Sequence, residues 1–407
     1  MQINCVYKKG STGKIVYDIH CSLQNNGCES IVCYGRGEKI RENNVYKTCG
    51  ELYSKFNNLV SRITGIMYGG CFFSTNTLIN IIKRERPDVV HVHCINGYFV
   101  NIYRLMSYLN QNRIKTILTL HSEFMYTANC GHSFECNKWE TGCGSCPRLR
   151  KETKSFYFDN TAFSWKKMRK AFVGFDDLIV TSVSPWLQER AQRSPILQGK
   201  KHMTILNGID TSVFRMHDKK TLEYESGFEN KKIIFHATAY FCSDKDHIKG
   251  GYYVLEMAKR FLNIDNRVLF LIAGKHEDMG EVPENIVFLG NISDQDKLAE
   301  YYSLADVTLL ASKKETFSMI VAESLCCGTP VVGFEAGAPE LITIKEFSSF
   351  VSYGDCDKLF NELNLYLNHE NIDKQTISHI ADLKYGKDVM VKEYEAVYKE
   401  LARDENV

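Results

Sequence analysis

Two doubly wound α/β domains are the fold that this sequence predicts. Three observations lead there. Short β-branched apolar runs alternate with longer stretches of helical periodicity along the chain. The alternation comes in two series, separated by a polar stretch with no clear period. The length, 407 residues, allows two or three domains at roughly 150 residues each. Strands that alternate with helices build parallel sheets covered on both faces.

The first series opens with a strand over Ile3 to Tyr7, a glycine-containing turn, and a helix from Lys14 to Gln24. Strands follow at Ser30 to Tyr34, Val89 to Val92, Thr116 to Leu120, Leu178 to Val183 and Thr204 to Leu206, with a helix at Leu78 to Lys83. The second series has strands at Ile233 to Ala237, Val268 to Ala273, Ile286 to Leu289, Val307 to Leu310 and Val331 to Phe334. Its helices are Tyr252 to Phe261, Asp294 to Ser303 and Ser318 to Cys327, with a helical tail from Asp388 to Leu401. These patterns set the expected domains. Residues 1–212 form the first, with a cysteine-rich loop at 130–147. Residues 213–230 connect it to the second, 231–387. A C-terminal helix, 388–407, is placed to cross back to the first domain.

Hydrophobic residues make up 44% and charged residues 24%, which excludes a wholly disordered chain and fibrous architectures. Lys and Arg number 50 against 49 Asp and Glu. That balance argues against a chain that binds nucleic acid over its whole surface. No apolar run approaches a membrane span of about 18 residues. The first residues enter a strand pattern at once, without the features of a signal peptide. The expected location is the cytoplasm. Most of the 15 cysteines sit in apolar runs, as reduced thiols do.

Ligands of open α/β sheets bind at the carboxyl ends of strands, often on helix N-termini. Two segments occupy that position. Gly10-Ser11-Thr12-Gly13 follows the first strand; its glycines allow close approach to a ligand, or simply make a turn. The segment Glu315 to Glu323 follows the strand Val307 to Leu310. Ser318 reads as the N-cap of the next helix, whose first amides, at Met319 and Ile320, would then face an anion. Glu315 and Glu323 flank that start. Carboxylates suit sugar hydroxyls rather than phosphate, so the pairing describes a nucleotide sugar.

Glu-x7-Glu followed by Cys327-Gly328-Thr329-Pro330 and Gly337-Ala338-Pro339-Glu340 resembles the donor signature of the family four retaining glycosyltransferases. Similar stretches run along most of the chain: Pro87 to His93, Thr119 to Ser122, Ser184 to Leu187, Asn207 to Asp210 and Lys249-Gly250. The resemblance is closest to bacterial members that build capsule, exopolysaccharide or lipopolysaccharide. It implies the GT-B fold: two Rossmann-like domains facing a cleft. It implies retaining, metal-independent transfer of a hexosyl group from a UDP- or GDP-sugar to a growing or lipid-linked glycan. Glu323 would hold the ribose hydroxyls and Glu315 the donor sugar. Phe317 and the amides of Ser318 to Ile320, with Gly10 and Gly13, would line the donor site. Lys249 would neutralise the leaving diphosphate, and His121 would lie near the reacting centre.

One departure stands out. Where the family carries an Arg ahead of Lys-Gly, this chain reads Ala237-Thr238-Ala239-Tyr240-Phe241, so Lys245 or the helix dipole would have to compensate. A nucleotide-sugar 2-epimerase and a non-catalytic sugar-nucleotide-binding protein are the alternative functions. Of His91 and His93, one reads as a core or supporting residue. Glu340 reads as a helix cap. The pairs Asp244/Asp246, Asp294/Asp296 and Asp355/Asp357 read as caps or chance, so no catalytic metal is expected.

Cys130, Cys136, Cys143 and Cys146 form a C-x5-C-x6-C-x2-C cluster. Four thiolates so spaced suit a structural zinc ion; two disulfides or free buried thiols are the alternatives. Arg148 to Lys170 then carries eight basic residues against two acidic ones, interleaved with aromatics. Contact with the inner membrane surface is one reading. A helix with core aromatics and solvated lysines is the other.

Overall fold

A computed structural model of the protein describes residues 1–369 and 373–403. Contacts divide the chain into two units. One comprises Met1–Leu206 with the C-terminal segment from Val391; the other is Asn207–Met390.

The first unit holds a sheet of seven strands: β1 (Gln2–Asn4), β2 (Val32–Tyr34), β3 (Val45–Lys47), β4 (Val90–Val92), β5 (Thr116–Leu120), β6 (Leu178–Ser182) and β7 (Lys201–Thr204). Their spatial order is β3-β2-β1-β4-β5-β6-β7, all parallel. The second holds β8 (Lys232–Phe241), β9 (Val268–His276), β10 (Ile286–Gly290), β11 (Val307–Leu310), β12 (Val331–Phe334) and β13 (Ser348–Val351). Its order is β10-β9-β8-β11-β12-β13, again all parallel. In each sheet the strand order reverses once, between β1 and β4 and between β8 and β11. Crevices open at the carboxyl ends of strands at such points.

Composition explains the strands. β5, β6, β11 and β12 are buried throughout, as central parallel strands covered on both faces must be. In the second unit Ile234, Phe270 and Leu309 from the sheet pack with Val254, Met257 and Leu363 from its helices.

Several expected boundaries move. The polar stretch 213–230 contains the helix Lys219–Ser226 and belongs to the second unit. Asp218 caps that helix by accepting from the Thr221 amide, so the stretch is polar because it is a short surface helix. Gly10 to Gly13 is not a loop: the helix Gly10–Asn25 begins there, and residues 5–9 make the connection. Among the described residues, no helix is long and apolar enough to cross a membrane.

Candidate functional site

The second unit's reversal point assembles the site. β8 runs on into the loop 242–250, and β11 into the loop 311–318. The two loops touch: the Lys313 amide donates to the Ile248 carbonyl at 2.8 Å. Gly250 makes the approach possible. It sits at φ +69°, and a Cβ there would lie 2.0 Å from the Ala311 carbonyl oxygen. Only glycine tolerates both conditions.

Lys249 and Glu315 close this contact. The Lys249 ammonium donates to Glu315 Oε1 at 2.7 Å, with both side chains partly buried. The backbone of Glu315 is fixed from the other side. Its amide donates to the Ala336 carbonyl at 3.0 Å, and its carbonyl accepts from the Ala338 amide at 3.3 Å. Glu340 in turn accepts from the amides of Ala336 and Gly337, at 3.0 and 2.8 Å. The Gly-Ala-Pro-Glu segment is therefore a brace that holds Glu315 in place.

The helix Met319–Cys326 starts differently from the expected cap. Ser318 has φ +87° and ψ +92°, and its side chain makes no cap hydrogen bond. Among the described residues its buried Oγ has no partner. The expectation of a Ser N-cap is thus corrected: Ser318 occupies backbone space that favours glycine, where its hydroxyl does not reach the first-turn amides. The N-terminus of this helix still carries the dipole's positive end. Phe317 is buried, and Met319 and Ile320 are half-buried. Glu323, inside the helix, accepts from the Tyr302 hydroxyl at 3.1 Å. Tyr302, which the sequence analysis missed, orients the second glutamate. Burial and the neighbouring carboxylate push its pKa well above the usual phenol value.

The other predicted site residues are described within their own units. Gly10 and Gly13 belong to the first unit, where residues 6–8 fold over Gly13 so closely that a Cβ there would lie 3.2 Å from a Val6 methyl. The Lys245 ammonium lies 5.4 Å over the Tyr252 ring. The three aspartate pairs have local roles. Asp294 and Asp355 cap helices, and Asp244 accepts from the Asp246 amide.

The histidines form a graded series in the first unit. His91 on β4 is fully satisfied: Nδ1 meets the Tyr398 hydroxyl at 2.6 Å and Nε2 the Thr119 hydroxyl at 2.7 Å. It is the core residue of the pair. His93 packs against it at a tilt, with ring centroids 3.8 Å apart. His121, just past β5, places Nε2 3.5 Å from His93 Nδ1. Burial pulls the His121 pKa down to about 4, so its imidazole is neutral at neutral pH. Neutral His121 can exchange hydrogen bonds with a sugar but brings no charge.

Directly after it, Glu123 is fully buried. It accepts from the Ser133 amide at 2.9 Å and from the Ser133 hydroxyl, and pairs with Arg190 at 3.4 Å. Arg190 also lies 5.0 Å over the Trp139 ring. The sequence offered a signal for this network in an acid beside the apolar run Phe124-Met125-Tyr126, and it went unread. The network anchors the cysteine-rich loop. Cys130, Cys136, Cys143 and Cys146 line one cavity of about 30 Å³ and form no disulfide. Burial raises the Cys143 pKa to about 12, with Cys136 and Cys146 adding to the rise. Among the described residues, no three His, Cys, Asp or Glu side chains are arranged to hold a metal ion. The quartet is gathered but not closed on a common centre.

Two family models match the chain. "Glycosyltransferase Family 4" matches residues 12–213, and "Glycosyl transferases group 1" matches 233–369. N-acetyl-alpha-D-glucosaminyl L-malate synthase of Bacillus anthracis is 24% identical over 341 residues, covering 81% of this chain and 78% of its own. A putative colanic acid biosynthesis glycosyl transferase, WcaC of Escherichia coli K12, is 21% identical, covering 86% and 87%. Among solved structures, Anabaena HepE in complex with UDP and glucose superposes with a TM-score of 0.63 at 13% identity, covering 98% of both chains. Likeness at that identity speaks for the fold.

Proposed function

We propose that this chain, which belongs to the family 4 glycosyltransferases and has their GT-B fold, transfers a hexosyl group from a nucleoside diphosphate sugar to a growing surface glycan, with retention and without a metal. The observation that carries this reading is the Lys249–Glu315 ion pair beside the start of the helix Met319–Cys326. The relative with a colanic acid name and the UDP-bound HepE support the polysaccharide and UDP parts of it.

The residues divide the work by charge. First-turn amides of the helix and the Lys249 ammonium bind the diphosphate. Lys249 exchanges Glu315 for a phosphate oxygen, which frees the Glu315 carboxylate for donor-sugar hydroxyls. Glu323, oriented by Tyr302, accepts from the ribose hydroxyls. Fixed positive charge aimed at a leaving diphosphate is worth most where water is excluded. The bond from the sugar's anomeric carbon to the diphosphate oxygen breaks, and a bond to the acceptor oxygen forms on the same face. The acceptor's proton passes to the departing phosphate. The acceptor is lipid-linked and met at the cytoplasmic face of the membrane. The cysteine quartet is a candidate structural zinc site outside this chemistry.

A screen of UDP- and GDP-sugars for nucleotide release, with chelator present, tests this. Release from one donor class, undiminished by chelator and with the product anomer retained by NMR, is expected. Epimerisation of the donor without an acceptor, an inverted product, or loss of activity on chelation at an unchanged melting temperature would each contradict it.

A further inference from the structure

The helix Glu51–Thr64 is built inside out. Its buried residues are Ser54, Asn57 and Ser61. Its apolar residues Leu52, Phe56, Leu59 and Ile63 are exposed, Leu52 at 83% and Phe56 at 61%. They recur at the spacing of one helical face, which would ordinarily pack on a core. The inward polar residues are fully engaged. Ser54 donates to the Gly97 carbonyl at 3.0 Å, and Ser61 to the Ile66 carbonyl at 2.8 Å. Asn57 accepts from the Cys71 amide at 2.7 Å. The orientation is thus fixed by hydrogen bonds, and the apolar stripe has to face outward.

The stripe continues on both sides. Phe73 adjoins it through Tyr53, with ring centroids 6.0 Å apart. At the other end the Phe156 amide donates to the Arg62 carbonyl at 2.7 Å, and the Arg62 guanidinium lies 5.9 Å from the Phe156 ring. Tyr157 and Phe158 follow, both exposed. The basic aromatic segment read from the sequence therefore splits. The helix Thr161–Phe172 buries Trp165, Met168 and Phe172, while residues 156–158 extend the outer patch.

Charge identifies the occupant. Lys55, Arg150, Lys151 and Lys154 are exposed in these stretches. The acids among them are engaged internally: Glu51 with Arg36, Glu152 with Arg148, and Asp159 with the Cys146 and Thr161 amides. An aliphatic and aromatic stripe set among cations suits a surface that is apolar beneath and anionic on top. We infer that this face docks on an anionic lipid bilayer, with Leu52, Phe56 and Leu59 entering the headgroup–acyl boundary and the cations on the headgroups. The inference deepens the lipid-linked acceptor reading, although its test needs no sugar nucleotide.

The test is sedimentation of the full chain with phosphatidylcholine vesicles, plain or doped with phosphatidylglycerol. Binding to doped vesicles at least about tenfold above plain ones, weakened by salt, is expected. The L52S/F56S double variant should lose about tenfold or more with its melting temperature maintained. K55E should lose about fivefold or more. Equal binding to both vesicle types, no binding, or wild-type binding by the double variant would each overturn the inference. So would a lipid-free dimer that the double variant dissociates, since the face would then meet a second copy. Nucleotide release is measured separately, so failure of the donor reading leaves the vesicle result standing.

Discussion

Lys249 Nζ lies 2.7 Å from Glu315 Oε1 and joins the loops that leave β8 and β11. Two residues 66 positions apart thus meet at one point, as an ion pair. Lys249→Ala and Glu315→Ala should each lower turnover by about 10²-fold or more, the usual scale for a fixed electrostatic contact. A partly exposed pair adds only about 1 kcal/mol to stability. Melting temperature should therefore change little, and initial rates with circular dichroism separate the two effects.

Ser318 holds a strained backbone and, among the described residues, an unpartnered hydroxyl. Ser318→Gly should relieve both and raise stability by about 1 kcal/mol, read as a higher denaturant midpoint. If the hydroxyl serves the donor, KM for the sugar nucleotide should rise in the same variant. A lowered midpoint would show that the strain was misjudged.

The buried histidines predict acid sensitivity. His91 and His93 are held well below the ordinary value by burial, and His121 and His236 are pulled down to about 4. Between pH 6.5 and 4 the unfolded chain binds protons that these native rings refuse. Stability should be full above pH 6.5 and fall as pH drops through that window. A melting temperature that is flat from pH 7 to 5 would contradict this.

Glu123 and Arg190 form a buried pair. Glu123→Ala removes the carboxylate opposite Arg190, which keeps only the neutral Ser133 and Tyr126 hydroxyls, and should cost about 3 kcal/mol. The cysteine-rich loop should loosen first, as faster hydrogen exchange around Ser133 and Trp139.

Elemental analysis of the purified chain decides the cysteine quartet. One zinc per chain, with a lower melting temperature after chelation, is expected if the four thiols close on a metal. Four titratable thiols without zinc would assign them to packing.

Much of the fold is legible in the chain. β5, β11 and β12 run over the residues that apolar composition marks, because strands buried on both faces must be continuously apolar. The helix Glu51–Thr64 went unread although Leu52, Phe56, Leu59 and Ile63 stand at helical spacing. Its outward orientation could not be read from that spacing, since periodicity gives a face but not its direction. Gly10 to Gly13 misled for a related reason: glycines suggest a turn, yet here they open a helix.

The sequence alone determined the alternation of strands and helices and the parallel sheets, because those depend on local composition and spacing. Tertiary structure decided what individual residues do to one another. It paired Lys249 with Glu315, left Ser318 without a capping bond, satisfied His91 within the core and turned an apolar stripe outward. Each of those outcomes depends on which distant segment comes to lie within hydrogen-bond reach, and the order of residues does not carry that distance.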